Sequence, residues 1–575
     1  MTWLAIILGL YLLWVGSTFY HFYINYLSAR KTGLPLIILP ISHYNPIWMI
    51  LSVPIIQPLA AKLLPEWLFE PIDVATYGWE FRRGYSIFEK YGPAFILVTA
   101  SSNELSLIDP EFATEVLKRI KDFPQTVMAK VIMDIFGPSL LTTDGEAWAR
   151  QRKLIAPNVN EKISGMVFGE SIRQAQQMLS AYVDELKGVT DDTMRGCKQV
   201  AMNILGLVGF GITLPWKEEE SKGNQKGYRM TYMKATKTVV ENLIESAVMP
   251  AKLLTLPVFA SSWQDIGHAK NEFPLHSKEM LENEKKLQAE SSEARNNLMS
   301  MMVRLSDSSR ANGHVDEKND GTVKNAQVLS QQEIIGNLFI FTSAGFDTTA
   351  NTMAYALALL TAYPKWQDWL HEEIKEIVRD RDMDRLEYNE VFPRLPRCLA
   401  LMLETMRLFT PLTHIAKQTN PTYDVEVKTS SKTYFLPKGT IIYISTVGLH
   451  LDPSTFGADA SEFNPSRWLN SPSIIPSTTD PDYTIATQIK NFPKGTYLPW
   501  SSGPRVCPGQ KMAQVEFVTV FMTIFGRYRC EAVRRQGESD EEVKSRIEAI
   551  MKDSAPKLTL QMTRNRDLQL RWVER

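Results

Sequence analysis

The sequence predicts a mainly α-helical protein with small β-sheets. Apolar residues recur at helical spacing through most of residues 160–303, and a capping pattern starts a further long helix over residues 330–362. By contrast, the stretches Phe95–Leu107 and Pro411–Leu449 alternate between apolar and polar residues, and Leu558–Trp572 also predicts short strands. Since the helical stretches are much longer than the alternating ones, helices should form the bulk of the fold.

Length and composition set the first limits on function. With 575 residues, 44% of them hydrophobic, the chain can bury the core of one large domain or of two ordinary ones. The formal net charge of -1 argues against a nucleic-acid-binding protein. The cysteines are too few and too scattered for a disulfide framework, and no Cys-x-x-Cys pair suggests zinc. Catalysis in a reducing compartment fits this composition best.

The N-terminal residues predict a membrane anchor. Residues 1–29 contain no Asp, Glu, Lys or Arg, and the run Trp3–Leu27 exceeds the roughly 20 apolar residues that cross a bilayer. A cleaved signal peptide is the alternative, but the basic region and the small-residue cleavage site of such peptides are both lacking. Because Arg30 and Lys31 follow directly, the positive-inside rule places the rest of the chain in the cytosol.

Residues 30–74 predict a proline-rich hinge and an apolar, membrane-proximal segment. Glycine and proline interrupt regular structure directly after the predicted anchor. The apolar run Pro46–Leu64 follows, and Pro54 and Pro58 within it would break a spanning helix. We interpret this run as lying in the membrane surface or packing on the catalytic domain, with a second membrane span as the alternative.

A glycine-bracketed loop carries the most specific chemical signal. Residues 500–510 read Trp-Ser-Ser-Gly-Pro-Arg-Val-Cys-Pro-Gly-Gln and run into an apolar helical stretch. A helix N-terminus beside Cys507 favours a thiolate, which is a strong axial ligand for haem iron. Gly503 and Gly509 let a flat macrocycle approach, and Arg505 can reach a haem propionate. A lone cysteine before a helix is more often a small buried hydrophobe, so only the combination favours a haem ligand.

The predicted helix 330–362 carries an acid and an alcohol at its centre, in Ala344-Gly345-Phe346-Asp347-Thr348-Thr349. Burying Asp347 costs several kcal/mol unless partners are supplied, so this residue should have a function. Gly345 lets a planar ligand approach, and a threonine hydroxyl bonded back to a carbonyl can open a groove in the helix. Asp347 and Thr348 could then relay protons to bound dioxygen. A kink packed by small residues is the alternative.

Two further helices place charges where they need partners. Trp148 and Arg152 lie four residues apart on one helix face, where an indole N–H and a guanidinium together suit a carboxylate; a solvated basic helix is the alternative. Glu404 and Arg407 share a face of a helix with apolar neighbours, so their charges need a third group. Arg467, in Phe463-Asn464-Pro465-Ser466-Arg467-Trp468, can supply it.

Four motifs in this order resemble those of the cytochrome P450 family. They are the Trp-x-x-x-Arg helix at 148–152, the oxygen-activating motif at 344–349, the Glu-x-x-Arg helix at 404–407 with its aromatic-proline-arginine segment, and the cysteine loop. The loop departs from the family at one position, since Trp500 replaces the usual leading Phe. The resemblance covers about residues 75–575. It implies the cytochrome P450 fold, a triangular haem domain preceded by an N-terminal membrane anchor.

The resemblance also implies a cofactor and residue roles. The cofactor is haem b (iron protoporphyrin IX), with Cys507 as the axial thiolate and Asp347 and Thr348 as the groups that deliver protons. Residues 404, 407 and 467 would form a structural network that retains the haem. Lys417 stands where many members have a propionate-binding arginine, and a point charge can substitute for it. The implied cofactor-binding residues are Trp148, Arg152, Ala344, Gly345, Lys417, Arg505 and Gly509.

The implied function is that of a haem-dependent monooxygenase, which inserts one atom of O₂ into an apolar organic substrate. Electrons would come from NADPH–cytochrome P450 reductase, with cytochrome b5 as a further candidate partner, at the cytosolic face of the endoplasmic reticulum. The run from Pro504 to Lys511 looks most like fungal microsomal members, many of which act in secondary-metabolite biosynthesis. Two alternatives stay open: a haem-thiolate isomerase or dehydratase without reductase, and a non-catalytic membrane haem-binding protein.

Overall fold

The computed structural model describes residues 2–39, 41–42, 45–190, 192–216, 227–290, 295–311, 328–474 and 476–575. Most of the predicted loop 306–328, which is rich in Ser, Asn, Asp and Gly, lies outside these residues. The described part of the chain is mainly helical with small sheets, so the predicted fold class is confirmed.

The helices and strands follow one another as the sequence pattern predicts. The helices are α1 (Thr2–Arg30), α2 (Pro46–Leu51), α3 (Gln57–Leu63), α4 (Glu66–Val74), α5 (Trp79–Arg83), α6 (Ser86–Tyr91), α7 (Pro110–Lys118), α8 (Val127–Met133), α9 (Gly145–Ile155), α10 (Glu161–Ser180), α11 (Thr193–Phe210), α12 (Tyr232–Glu241), α13 (Leu243–Val248), α14 (Ala251–Leu254), α15 (Ser261–Glu290), α16 (Leu298–Ala311), α17 (Gln331–Ala362), α18 (Lys365–Val378), α19 (Tyr388–Val391), α20 (Pro396–Leu408), α21 (Thr446–His450), α22 (Pro453–Phe456), α23 (Ile485–Gln488), α24 (Gln510–Arg527) and α25 (Asp540–Lys552). The strands are β1 (Leu36–Ile38), β2 (Ala94–Val98), β3 (Asn103–Leu107), β4 (Val189–Thr190), β5 (His414–Gln418), β6 (Val425–Lys428), β7 (Thr433–Leu436), β8 (Ile441–Ser445), β9 (Tyr528–Ala532), β10 (Ser554–Pro556), β11 (Leu560–Met562) and β12 (Leu570–Glu574).

The chain divides into two units. The first comprises residues 1–126, 412–462 and 492–507, and the second comprises residues 127–411, 463–491 and 508–575.

The first unit is built on a five-stranded sheet in the order β1-β2-β3-β8-β5. Strands β2 and β3 form an antiparallel hairpin, and β8 joins β3 in parallel and β5 antiparallel. Every residue of β2 and β3 is buried, as expected for strands covered on both faces.

Helix α1 is a single 29-residue helix whose C-terminal end belongs to this first unit. The Asn25 side-chain amide donates a hydrogen bond to the Thr99 carbonyl at 3.0 Å, the Asn103 amide donates to the Asn25 carbonyl at 2.9 Å, and Ala29 is fully buried. In the part of the chain that the structure describes, no helix combines the length and the apolar character needed to cross a bilayer. The predicted transmembrane anchor over residues 1–29 is therefore not supported. The physical reason lies in the second half of the helix, where polar residues such as Asn25 bond to the protein.

The second unit is organised around α17, a 32-residue helix. The Ser330 hydroxyl accepts a hydrogen bond from the Glu333 backbone N–H at 3.2 Å, and the Glu333 carboxylate accepts one from the Ser330 N–H at 2.8 Å. This capping box fixes the start of the helix at the predicted place, and Tyr363 and Pro364 end it there as well. Helices α11, α12, α20, α24 and α25 pack against α17, which explains why its side chains are buried on nearly all sides.

Gly336 gives this packing a specific test. A Cβ at Gly336 would lie 2.7 Å from the Pro138 carbonyl oxygen and closer still to that of Gly137, and both obstacles are backbone atoms. We expect Gly336→Ala to lower the free energy of unfolding by roughly 1–3 kcal/mol, because the loop or the helix must shift. The matched control is Gly209→Ala in α11, where the nearest atom lies 3.8 Å away and alanine should be neutral or stabilising. Denaturant unfolding of both variants measures the difference, and equal behaviour would contradict the close packing.

Candidate functional site

The cysteine loop in the first unit turns tightly just before Cys507. The Cys507 backbone N–H donates to the Trp500 carbonyl at 3.0 Å, and the Val506 N–H donates to that of Gly503 at 3.1 Å. Gly503 has a φ of +69°, and a Cβ there would lie 2.7 Å from the Leu117 carbonyl oxygen. Protein packing alone therefore requires glycine at 503, which differs from the macrocycle approach expected from the sequence.

Exposure separates Cys507 from the other cysteines. Cys507 is exposed, whereas Cys197, Cys398 and Cys530 are buried. Burial raises the pKa of the Cys197 and Cys530 thiols to about 12 and that of Cys398 well above its usual value. Because a metal ligand must be a thiolate, Cys507 is the cysteine suited to that role.

One face of α17 is open although the rest of the helix is buried. From Glu333 to Ala362, the residues that are not buried are Phe341, Ala344, Gly345 and Thr348. They are spaced i, i+3, i+4 and i+7, so they share one face. The Thr348 hydroxyl donates to the Ala344 carbonyl at 2.8 Å within this face. Small side chains at its centre leave room for a flat ligand against the helix.

Asp347 adjoins this open face but is itself buried, with 4% of its surface exposed. The Thr559 hydroxyl donates to Asp347 Oδ2 at 2.6 Å, and Lys198 Nζ lies 3.5 Å from Oδ1. The sequence correctly required partners for this acid, but it gave no local signal for these two, since Thr559 lies 212 residues away along the chain.

Trp148 and Arg152 lie on α9, where Trp148 is buried and Arg152 half-buried. A network that sequence reasoning missed attaches this helix to the start of α17. Arg150 forms an ion pair with Glu333, the Gln151 amide donates to the Glu333 carboxylate at 3.1 Å, and the Asn337 amide donates to Gln151 Oε1 at 2.9 Å. These bonds fix where Trp148 and Arg152 stand relative to α17.

Arg505 and Lys417 both belong to the first unit. Arg505 lies half-buried in the turn before Cys507. Lys417 lies in β5 with 4% of its surface exposed, and its ammonium donates to Gln125 Oε1 at 2.8 Å. Both are cations close to the protein interior, where their charges suit an anionic partner.

The structure brings Glu404, Arg407 and Arg467 together in the second unit. Glu404 and Arg407 have no exposed surface, and two Arg407 nitrogens each lie 2.8 Å from a Glu404 carboxylate oxygen. Arg467 Nε lies 3.0 Å from Glu404 Oε1. Two donors that the sequence did not reveal complete the set: the Trp468 indole at 2.9 Å and the Asn464 backbone N–H at 2.9 Å.

The residues present fit a haem with a cysteine ligand. The chain offers an exposed thiol just before α24, a helix face of small side chains at Ala344 and Gly345, and cations in both units. A thiolate supplies the axial ligand of such a haem, and cations suit its propionates.

Comparisons with known proteins agree with this chemistry. The sequence model of the family described as "Cytochrome P450" matches residues 81–560. A phomenoic acid biosynthesis cluster cytochrome P450 monooxygenase from Leptosphaeria maculans is 32% identical over 567 residues, which cover 91% of each chain. A cytochrome P450 monooxygenase from Arthrobotrys oligospora is 27% identical over 560 residues, 94% of each chain.

Solved structures show the same fold. The haem domain of cytochrome P450DA superposes with a TM-score of 0.65 at 15% identity, covering 94% of this chain and 98% of that one. A retinoic acid-bound cyanobacterial CYP120A1 superposes with a TM-score of 0.62 at 13% identity, covering 85% and 93% of the two chains.

The Glu404 cluster leads to a stability test. Glu404→Gln leaves Arg407 and Arg467 without their shared carboxylate, and breaking such a buried pair costs roughly 3–5 kcal/mol. We expect a large loss of folded, haem-containing protein, measured as the haem-to-protein ratio and the thermal midpoint. The control is Glu531→Gln, whose partner Arg529 is 44% exposed; this surface pair should contribute less than about 1 kcal/mol. A Glu404→Gln variant as stable as the control would contradict the importance of the cluster.

Proposed function

The chain belongs to the cytochrome P450 family, and on that premise we propose that it oxidises a fairly large apolar molecule in a secondary-metabolite pathway. It is a cytochrome P450 monooxygenase that uses haem with a cysteine thiolate ligand, O₂ and a redox partner. When bound, the haem supplies the activation of O₂ from which one oxygen atom enters the substrate. The secondary-metabolite role is supported by the relative named for phomenoic acid biosynthesis.

The observation that carries the oxygenase mechanism is the acid and alcohol at the opening in α17. Thr348 lies on the open face and Asp347 directly beside it, buried and paired. In our proposal these two residues pass protons toward the position of the reacting oxygen, a general acid role. An isomerase, a dehydratase or a non-catalytic haem protein has no need of such proton delivery, so the pair favours the monooxygenase.

The remaining roles follow the chemistry of the side chains. Cys507 would hold the iron, because it is the exposed cysteine beside a helix N-terminus. Ala344, Gly345 and Gly509 would leave room for the macrocycle. Propionates would be held by the indole and the cations of Trp148, Arg152, Lys417 and Arg505.

NADPH–cytochrome P450 reductase is the proposed electron donor, with cytochrome b5 as a second candidate, at the cytosolic face of the endoplasmic reticulum membrane. Support for a membrane location comes from α1. Large apolar side chains along it are strongly exposed, including Leu10 at 62%, Leu13 at 72% and Phe19 at 70%. Exposed side chains of this size need an apolar cover such as lipid.

Cys507→Ser tests the iron ligand. We expect the reduced, carbon monoxide-bound native protein to show the strongly red-shifted Soret band of a thiolate-ligated haem, and the variant to lose both this band and activity. The control is Cys530→Ser, which changes a buried cysteine in β9. A thiolate-type band in the Cys507 variant would mean that another group ligates the iron.

Thr348→Ala tests proton delivery. We expect haem to stay bound while a larger share of the electrons from NADPH leaves as peroxide, because the alcohol that protonates the oxygen is gone. The measurement is peroxide released per NADPH oxidised with reductase present. Thr361→Ala is the matched control, since its hydroxyl also bonds back within α17, to the Leu357 carbonyl at 2.7 Å. An unchanged peroxide share in Thr348→Ala would contradict the proposed role.

The proposed oxidation itself is tested with reductase, NADPH and isotopically labelled O₂ on a panel of terpenoids and polyketides. We expect one labelled oxygen atom in a product that forms only with reductase. A product formed equally well without reductase would indicate an isomerase or dehydratase instead.

A further inference from the structure

A lysine outside the family motifs reaches the acid in α17. Lys198, in α11, places its Nζ 3.5 Å from Asp347 Oδ1 and 3.8 Å from Glu241 Oε1. The exposed fractions of the side chains are 15% for Lys198, 6% for Asp347 and 43% for Glu241. One ammonium therefore stands between a buried carboxylate and a carboxylate at the end of α12 that is open to solvent.

Hydrogen bonding on the other side of Asp347 decides which of its oxygens can exchange a proton. The Asn351 amide donates to the Thr559 hydroxyl oxygen at 2.8 Å, so the Thr559 O–H is directed at Asp347 Oδ2, 2.6 Å away. Oδ2 is thereby fixed as an acceptor. Oδ1, beside Lys198, remains the oxygen at which Asp347 can gain or lose a proton.

The burial of Asp347 makes the ammonium necessary. An ionised carboxylate without a compensating charge is strongly disfavoured in a protein interior and takes up a proton instead. Helix α11 also packs directly against α17, so Lys198 is held in place by the helix pair rather than by a mobile loop. The three charged groups lie on α11, α12 and α17, all within the second unit.

We propose that Lys198 is the positioning residue for proton supply to Asp347, and that Glu241 is the solvent end of this path. Lys198 gives one proton to Asp347 Oδ1 and regains one from Glu241 or from water. Asp347 then passes its proton toward Thr348, and all three groups return to their starting charges. Only N–H and O–H bonds form and break, and no electron moves along the path. This inference rests on the proposed role of Asp347 and Thr348 in oxygen chemistry.

The experiment uses the full-length haem protein with reductase and NADPH, without organic substrate, and measures how much reduced O₂ becomes water and how much becomes peroxide. Water requires the delivery of more protons than peroxide does. We expect Lys198→Met to lower the water-to-peroxide ratio by roughly tenfold. Lys198→Arg should largely restore the ratio, since it keeps the cation. Lys237→Met, which removes an exposed lysine from α12, should match the native protein.

A spectroscopic readout separates proton supply from a structural effect. Infrared difference spectra of Lys198→Met against Lys198→Met/Asp347→Asn should show the carbonyl band of a neutral carboxylic acid, and native protein against Asp347→Asn should not. A native water-to-peroxide ratio in Lys198→Met, or the same loss in Lys237→Met, would overturn the inference.

A second variant keeps the test decisive if Lys198→Met fails to bind haem. Glu241→Gln changes an exposed side chain and leaves Lys198 in place, and we expect a smaller fall in the same ratio. An unchanged ratio in that variant would then overturn the inference. The proposed function is judged separately by Thr348→Ala: if that variant raises peroxide while the Lys198 and Glu241 variants do not, the monooxygenase mechanism stands and the lysine path fails.

Discussion

Glu404 has no contact with solvent, and a carboxylate in that position is disfavoured by several kcal/mol unless donors surround it. The chain meets this requirement with Arg407 from the same helix and with Arg467, Trp468 and the Asn464 N–H from a segment about 60 residues later. The second segment can satisfy the carboxylate only from one position, so a local electrostatic demand fixes a long-range contact. The rest of the second unit depends on this kind of constraint.

The start of α17 follows the same rule. Burial alone would raise the pKa of Glu333, but hydrogen bonds from Arg150 and from the Ser330 N–H outweigh it and hold that pKa below its usual value. The carboxylate therefore stays ionised at neutral pH, and its stabilising effect is lost as the pH falls through the lowered pKa. Because Arg150 precedes Arg152 by two residues, the charge that caps α17 also sets the position of the helix proposed to hold a propionate.

The sequence predicted the residues that need partners better than it predicted the partners. Asp347, Glu404 and Arg407 were identified because each is charged within a local apolar pattern, and that pattern is visible in a single stretch of chain. Lys198 and Thr559 sit in stretches without any such signal, and only the packing of α11 and of the β10–β11 turn brings them to Asp347. The same limit explains the N-terminal helix, since hydropathy does not reveal that Asn25 bonds to the first sheet.

Helix α11 connects the two features on which the proposed chemistry depends. Leu205 packs against Gly345 at the open face of α17, where a Cβ would already lie 3.4 Å from both Leu205 methyl carbons. Lys198 lies two turns earlier on α11, beside Asp347. A larger side chain at position 345 would push α11 away as well as fill the opening. Glycine at 345 is therefore required twice: it leaves the face of α17 open, and it lets α11 approach closely enough for the Lys198 ammonium to reach the buried carboxylate.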